Sequence, residues 1–377
     1  MRLARRMERL GTETAFEVLA RARALEARGR SILHLEIGEP DFPTPEHVVA
    51  AARRALDEGY THYGPAAGDG ELRAALAEHA GRSRGVAVDP AEVVVTPGAK
   101  PILFFALAAL VQEGDEVLVP DPGFPIYASV VRWAGGRPVP YRLDAGFGLD
   151  VSTLRRARGG IFNTPQNPTG GVIDAAGWEA VAALDLEWLI SDEVYSAITY
   201  GVDHVSALGH PALRQKTILV DGFSKTWAMT GWRLGFGVMP PALAERVTQL
   251  QINCTSCAAS FTQRAGLAAL RGPMQPVREM VETFRRRRDL VVEGLRSLPG
   301  VRCVEPRGAF YVFPDFSAAG EAEALADRLL VEAGVACVAG TAFGAAGAGS
   351  LRFSYAASTQ TLREALGRIA SFLGGPG

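Results

Sequence analysis

The sequence predicts an α/β protein with a large, mostly parallel central sheet flanked by helices and a smaller α+β domain after it. Three observations predict this. From about residue 92, short β-branched runs alternate with helical stretches, as strand–helix–strand units require. Several of these runs end in turn-forming segments rich in Gly, Pro, Asn or Asp. After a long helical pattern at about 274–298, the alternation gives way to mixed short strands and helices.

The elements follow in order. Residues 12–30 carry a helical pattern, and SILHLEIG, 31–38, reads as a short strand. GEPDFPTPEH, 38–47, is a Pro/Gly-marked loop leading into a helix at about 45–58. The turn-rich YGPAAGDG, 63–70, precedes a helix rich in Ala and Leu. The alternating region then gives strands at 92–96, 116–120, 136–143, 159–163, 188–193, 217–223 and 233–239, with helices at 98–112 and 123–134 among them. Beyond the long helix come VRCVEP, GAFYVFPDF, a helix at 321–334, VACVAG, SLRFSYAAS and a final helix. The glycine-rich 340–349 follows no dinucleotide-type strand and is expected to be a mobile loop near the substrate mouth rather than a phosphate cradle. The expected division is an N-terminal segment, 1–46, joining the small domain, a large cofactor-binding domain, 47–275, and a small C-terminal α+β domain, 276–377.

Bulk composition narrows the function classes. The chain has 377 residues, too many for one ordinary core. Hydrophobic residues make up 48% and charged residues 21%, an ordinary globular balance. The net charge of −2 argues against a nucleic-acid partner. The basic block FRRRRDL, 284–290, lies in a helical pattern flanked by acids and reads as a solvated face. The longest apolar run, PILFFALAALV at 101–111, is too short to span a bilayer. Acidic residues interrupt the Arg-rich N-terminus, so no secretory leader is read there. Four cysteines in so long a chain do not make a disulfide framework, so the cytoplasm is the expected compartment.

In open parallel sheets, ligands bind outside the carboxyl ends of the strands. Those ends carry TPGAK at 96–100, PDPGF at 120–124, NTPQNPTG at 163–170, SDEVY at 191–195 and GFSK at 222–225. Together they supply an amine, Lys225, a carboxylate, Asp192, a phenol, Tyr195, an amide, Asn167, and an aromatic ring, Phe124. Arg233 follows Lys225 by eight positions in an apolar, glycine-marked segment. Desolvation and nearby positive charge there would lower the lysine's pKa and free its amine. No cluster with metal-ligand spacing is present, nor GxSxG, nor GxGxxG after the first strand. The set fits pyridoxal 5'-phosphate: a lysine for the aldehyde, a buried carboxylate for the pyridine nitrogen, and a helix N-terminus with an arginine for the phosphate.

SKTWAMTGWRLGF at 224–236, with NPTGG at 167–171 and SDEVY at 191–195, resembles the class I/II aminotransferases. These are pyridoxal-phosphate enzymes of fold type I, in the aspartate aminotransferase-like superfamily. The resemblance runs from GEPDF at 38–42 to SLRFSYAAS at 350–358. It implies that Lys225 forms the Schiff base and shuttles the substrate proton, and that Asp192 holds the pyridine nitrogen. It implies that Tyr195 and Asn167 donate to the cofactor phenolate and that Phe124 stacks on the ring. Gly98, Ala99 and Lys100 would cradle the phosphate by their backbone, with Arg233 clamping it. Tyr63 would reach the phosphate of a neighbouring subunit, implying a homodimer with shared active sites. Arg352 would grip the substrate α-carboxylate, with Gly38 beside it. Many members carry a serine three positions before the lysine; here that position is Gly222.

The implied reaction is a ping-pong transfer of the amino group of an L-α-amino acid to a 2-oxo acid. Lys100 stands where one bacterial branch binds a distal carboxylate, which favours aspartate and glutamate. The second distal-site arginine of the family has no counterpart in QLQINCTSCAASF, 249–261, so neutral or aromatic substrates stay open. So do a lyase outcome (C–S or β-elimination) and a specialised secondary-metabolite enzyme, because the shared motifs set cofactor binding rather than reaction outcome.

Overall fold

The computed structural model describes residues 3–374. Its centre is a seven-stranded sheet of order β2-β8-β7-β6-β5-β3-β4. The strands are β2 (Val93–Thr96), β3 (Glu116–Pro120), β4 (Arg137–Tyr141), β5 (Gly159–Asn163), β6 (Trp188–Asp192), β7 (Thr217–Gly222) and β8 (Gly235–Val238); β1 (Leu33–His34) lies outside this sheet. Neighbours are parallel from β4 through β7, and β8 runs antiparallel to both β7 and β2. The chain leaves β7 and turns back at the same end of the sheet through residues 223–234, so β8 must descend. Two reversals then leave β2 pointing the same way as β7, and its carboxyl end joins the others along one edge.

Helices cover both faces, and side-chain alternation shows it. In β2, Val93 and Val95 pack into one buried cluster with Leu72, Phe223 and Phe236, while Val94 packs into another with Ile102, Val117 and Ile190. In β7, Leu219 joins the first cluster and Ile218 and Val220 the second. A strand buried on both faces needs a continuous apolar run rather than alternation, which is why VVVT and TILV read as they do. Helices Glu46–Asp57 and Ser260–Arg271 pack on each other over the first face.

The C-terminal part builds a separate three-stranded antiparallel sheet, β11 (Val338–Ala339), β12 (Leu351–Ser354) and β9 (Tyr311–Val312). The N-terminal strand β1 pairs in parallel with β10 (Val335–Ala336). Helices Gln275–Arg296 and Thr359–Phe372 pack together beside these strands.

Several elements differ from the sequence expectation. The expected strand at 31–38 shrinks to two residues, matching the two-residue strand β10 with which it pairs. VRCVEP forms no strand; Arg302 makes only an isolated bridge to Asp315. The helix expected to 334 ends in a wide turn, Leu329–Ala333, and Gly334 closes it at φ 67°, a conformation suited to glycine. No described helix is long and apolar enough to cross a membrane.

Candidate active site

A cavity of about 490 Å³ opens at the carboxyl edge of the large sheet. Lys225, Asp192, Tyr195, Asn167, Phe124 and Arg233 all line it, as do Gly38, Ala99, Lys100 and Arg352. Each arrives by the same logic. β6 ends at Asp192, β5 runs into the loop bearing Asn167, β3 runs into the loop bearing Phe124, and β7 feeds the one-turn helix Phe223–Thr226 that carries Lys225. Arg352 comes from β12, across the cavity.

The Lys225 amine donates to the carbonyl of Gly38 at 2.5 Å. It lies 6.0 Å from the centre of the Tyr195 ring and 5.8 Å from that of Phe310. Burial pulls its pKa down to about 8, with Glu39 and Glu13 opposing and Lys100 and Arg352 adding to the fall. About a tenth of the amine is therefore neutral at pH 7, far more than an ordinary lysine offers as nucleophile or base.

Asp192 has the reverse problem. Its Oδ2 accepts from the Tyr127 hydroxyl at 2.6 Å and its Oδ1 from the Val194 amide at 3.3 Å. Burial nevertheless pushes its pKa up to about 6, against the restraint of those two bonds. A buried carboxylate held this way is one that a cation would stabilise. Its sequence neighbour Glu193 points to the other side of β6 and lies outside the cavity. Arg84 (3.0 Å), His204 (2.9 Å), Ser206 (2.6 Å) and Ser191 (2.7 Å) all bond to it. Although Glu193 is buried, these partners, Arg84 foremost, hold its carboxyl down to about 2.

Arg352 is 4% exposed. Its guanidinium donates to Asn167 Oδ1 at 3.0 Å and to the Glu36 carbonyl, and its Nε has no partner. The ring centres of Tyr311 and Phe343 lie 4.7 and 4.9 Å away. Neutral oxygens and aromatic faces thus surround a buried cation on the cavity wall. Such a group is completed by a carboxylate in bidentate contact.

At the other end, Gly98 sits at φ 88°, and a Cβ there would lie 2.0 Å from Arg233 Nη2. The backbone therefore approaches the guanidinium as only glycine allows. Helix Lys100–Leu110 starts here with Ala99 at its N-cap and no side-chain cap, leaving its first N–H groups for an external acceptor. Arg233 is held at φ 52° and donates to the Thr230 carbonyl at 2.8 Å. Gly222 pairs directly with Gly235 of β8. A Cβ at 222 would stand 3.1 Å from the Gly235 Cα and 3.2 Å from the Leu234 carbonyl. A serine there would press on the β8 backbone.

Tyr63 is the one sequence-derived site residue that this chain does not bring near the cavity. Its side chain is 88% exposed, in a surface groove with Tyr60, Pro65 and Arg264. Among the cavity residues that the sequence reading missed, four make the contacts that matter most. Tyr127, three positions after Phe124, bonds Asp192. Tyr311 pairs its hydroxyl with that of Tyr195 at 2.8 Å. Asn163 accepts from the Asn167 amide at 2.8 Å. Glu13 forms an ion pair with Lys100. PIY at 125–127 and the final Asn of GGIFN were visible signals; nothing local marks Glu13 or Tyr311 as site residues. The 340–349 segment, expected as a mouth loop, contributes no residue to the cavity lining; it forms two short helical turns, Gly340–Phe343 and Ala345–Gly347, and is held at its middle. Gly123 donates to the Phe343 carbonyl at 2.7 Å and Ala346 to Asp121 Oδ1 at 2.9 Å.

The family description "Aminotransferase class I and II" matches residues 30–369. An aspartate aminotransferase of Pyrococcus horikoshii is 39% identical, the match covering 95% of this chain and 94% of that protein. An arginine–pyruvate transaminase of Pseudomonas aeruginosa is also 39% identical, covering 94% and 93%. The solved aspartate aminotransferase of Thermus thermophilus with maleate superposes with a TM-score of 0.93 at 40% identity, covering 98% of this chain and all of that one, 100%.

Proposed function

The chain belongs to the class I and II aminotransferases, and from that premise we propose that it binds pyridoxal 5'-phosphate in the cavity at the sheet edge. The carrying observation is the Lys225 amine, brought down to about 8, in one cavity with the carboxylate of Asp192, brought up to about 6. When bound, the cofactor supplies an aldehyde for the amine and an electron sink for the carbanion left when a substrate loses its Cα proton.

The residues present fit that group. Lys225 would hold the aldehyde carbon and, once released, move the proton at substrate Cα. Asp192, oriented by Tyr127, would hold the pyridine nitrogen protonated, and that cation in turn would restore Asp192 to an ordinary carboxylate. Tyr195 and Asn167 would donate to the phenolate oxygen, and Phe124 would cover the ring face. The backbone of Gly98, Ala99 and Lys100 would receive the phosphate, with Arg233 beside it. A side chain at 222 would crowd the β8 backbone, so the hydroxyl of Ser224, which lines the cavity, would serve as a replacement donor. Arg352, beside Gly38, would bind the substrate α-carboxylate.

The amino donor is an L-α-amino acid. Lys100 on the cavity wall supports aspartate and glutamate as donors. The Pyrococcus relative's name supports the same reading, and the name of the Pseudomonas relative keeps other side chains in view. The exposure of Tyr63 supports a homodimer in which each copy completes the phosphate site of the other. The pairing of β1 with β10 supports a division in which residues 1–46 join a small domain of 276–377, with 47–275 as the large domain. Residues 1–2 and 375–377 lie outside the described structure.

Borohydride reduction of the protein with pyridoxal 5'-phosphate, followed by peptide mass analysis, tests the cofactor site. The reduced cofactor should appear on Lys225 alone. Attachment spread over surface lysines, or none at all, would contradict the assignment.

A further inference from the structure

Two of the cations that line the cavity, Arg352 and Lys100, are not equivalent. Arg352 bonds only neutral oxygens, whereas Lys100 already has a carboxylate partner in Glu13. Glu13 stands at the N-cap position of helix Thr14–Glu26, yet its side chain makes no cap bond there. It turns instead into the cavity, where it is 18% exposed. The wall around the pair is apolar: Ala15, Phe16, Leu103 and Phe124 line the same cavity, and the Lys100 amine lies 5.4 Å from the Phe124 ring centre.

We propose that Glu13 is a specificity-determining residue: it occupies the cation that a dicarboxylic substrate would use and so tilts the site toward donors with uncharged side chains. The inference rests on the transamination reading above. A neutral side chain lies against Phe16 and Phe124 and leaves the pair intact. A distal carboxylate must take Lys100 from Glu13 and then sits beside a displaced like charge. Both costs fall on dicarboxylates alone. Lys100 gives aspartate and glutamate their foothold, and Glu13 limits it.

The test compares kcat/KM for L-aspartate and L-methionine with the holoenzyme. Glu13→Gln should raise the aspartate-to-methionine ratio roughly five- to tenfold, mainly through a lower KM for aspartate. Glu17→Gln, one turn along and exposed, makes the same change of net charge away from Lys100 and should leave the ratio alone. In a Lys100→Met background the Glu13→Gln effect should vanish. An unchanged ratio in Glu13→Gln overturns the proposal. So does an equal rise in Glu17→Gln, or a rise that persists without Lys100. If wild-type protein converts no amino acid, the transamination reading itself falls and the role of Glu13 with it. Conversion with an unchanged ratio removes only the role of Glu13.

Discussion

Replacing Asp192 by asparagine should stabilise the cofactor-free protein while disabling the enzyme. Burial raises this carboxyl from 3.8 to about 6. At about 1.36 kcal/mol per tenfold change in acidity, holding it ionised costs the fold about 3 kcal/mol. The sign follows from proton binding. The folded carboxyl holds its proton more tightly than the unfolded one, so stability falls as pH rises from 3.8 to about 6, and the full cost is present above that. Asparagine keeps the shape and an oxygen for the Tyr127 hydroxyl but carries no charge. Apo Asp192→Asn should therefore be more stable than apo wild type by about 3 kcal/mol near pH 8, and by about 1 kcal/mol near pH 4.5. Urea denaturation of both apo proteins at the two pH values measures this. Adding cofactor should narrow or reverse the difference, because a pyridinium offsets the cost only in the wild type. Transamination should fall on the order of 10²-fold or more. Equal destabilisation of the variant at both pH values would refute the electrostatic reasoning and leave Asp192 a packing residue.

Further outcomes follow from the same geometry. The amine of Lys225 in apo protein should react with pyridoxal 5'-phosphate at a rate that rises with pH to a midpoint near 8; stopped-flow absorbance measures it, and a midpoint near 10.5 would remove the effect of burial. Gly98→Ala places a Cβ against Arg233 at φ 88° and should weaken cofactor affinity at least about tenfold, read by fluorescence titration. Arg352→Leu should raise KM for every amino donor by roughly 30-fold or more while leaving cofactor affinity within a few-fold of wild type. The same change should not destabilise the apo protein, since it removes a buried cation that has no counter-ion.

Much of this molecule was legible in its sequence because a sheet buried on both faces writes its strands as short apolar runs. EVLVP and GGIFN ended where β3 and β5 end, TILVDGF ran one residue past the end of β7, and polar residues just past these strands line the cavity. What was not legible depends on contacts far apart in the chain. The reversal of β8 is set by a return through residues 223–234, which a run of apolar residues does not encode. Tyr311 and Arg352 reach the cavity from the second sheet, and only Arg352 stood in a motif. Glu13 lies 87 positions before the lysine it neutralises; a glutamate among alternating charges looks solvated until the fold turns its helix start over the cavity. Gly222 was legible as a departure, but its cause, the facing Gly235 and the β8 backbone, needed the register.

The most direct test of the central claim is the visible spectrum of the cofactor-loaded protein as single L-amino acids are added without any 2-oxo acid. The account predicts that the band of the Lys225-bound cofactor gives way to that of its amine form, that an added 2-oxo acid restores it, and that Lys225→Ala does neither. Release of ammonia and a keto acid with no amine form of the cofactor, or an unaltered cycle in Lys225→Ala, would contradict it.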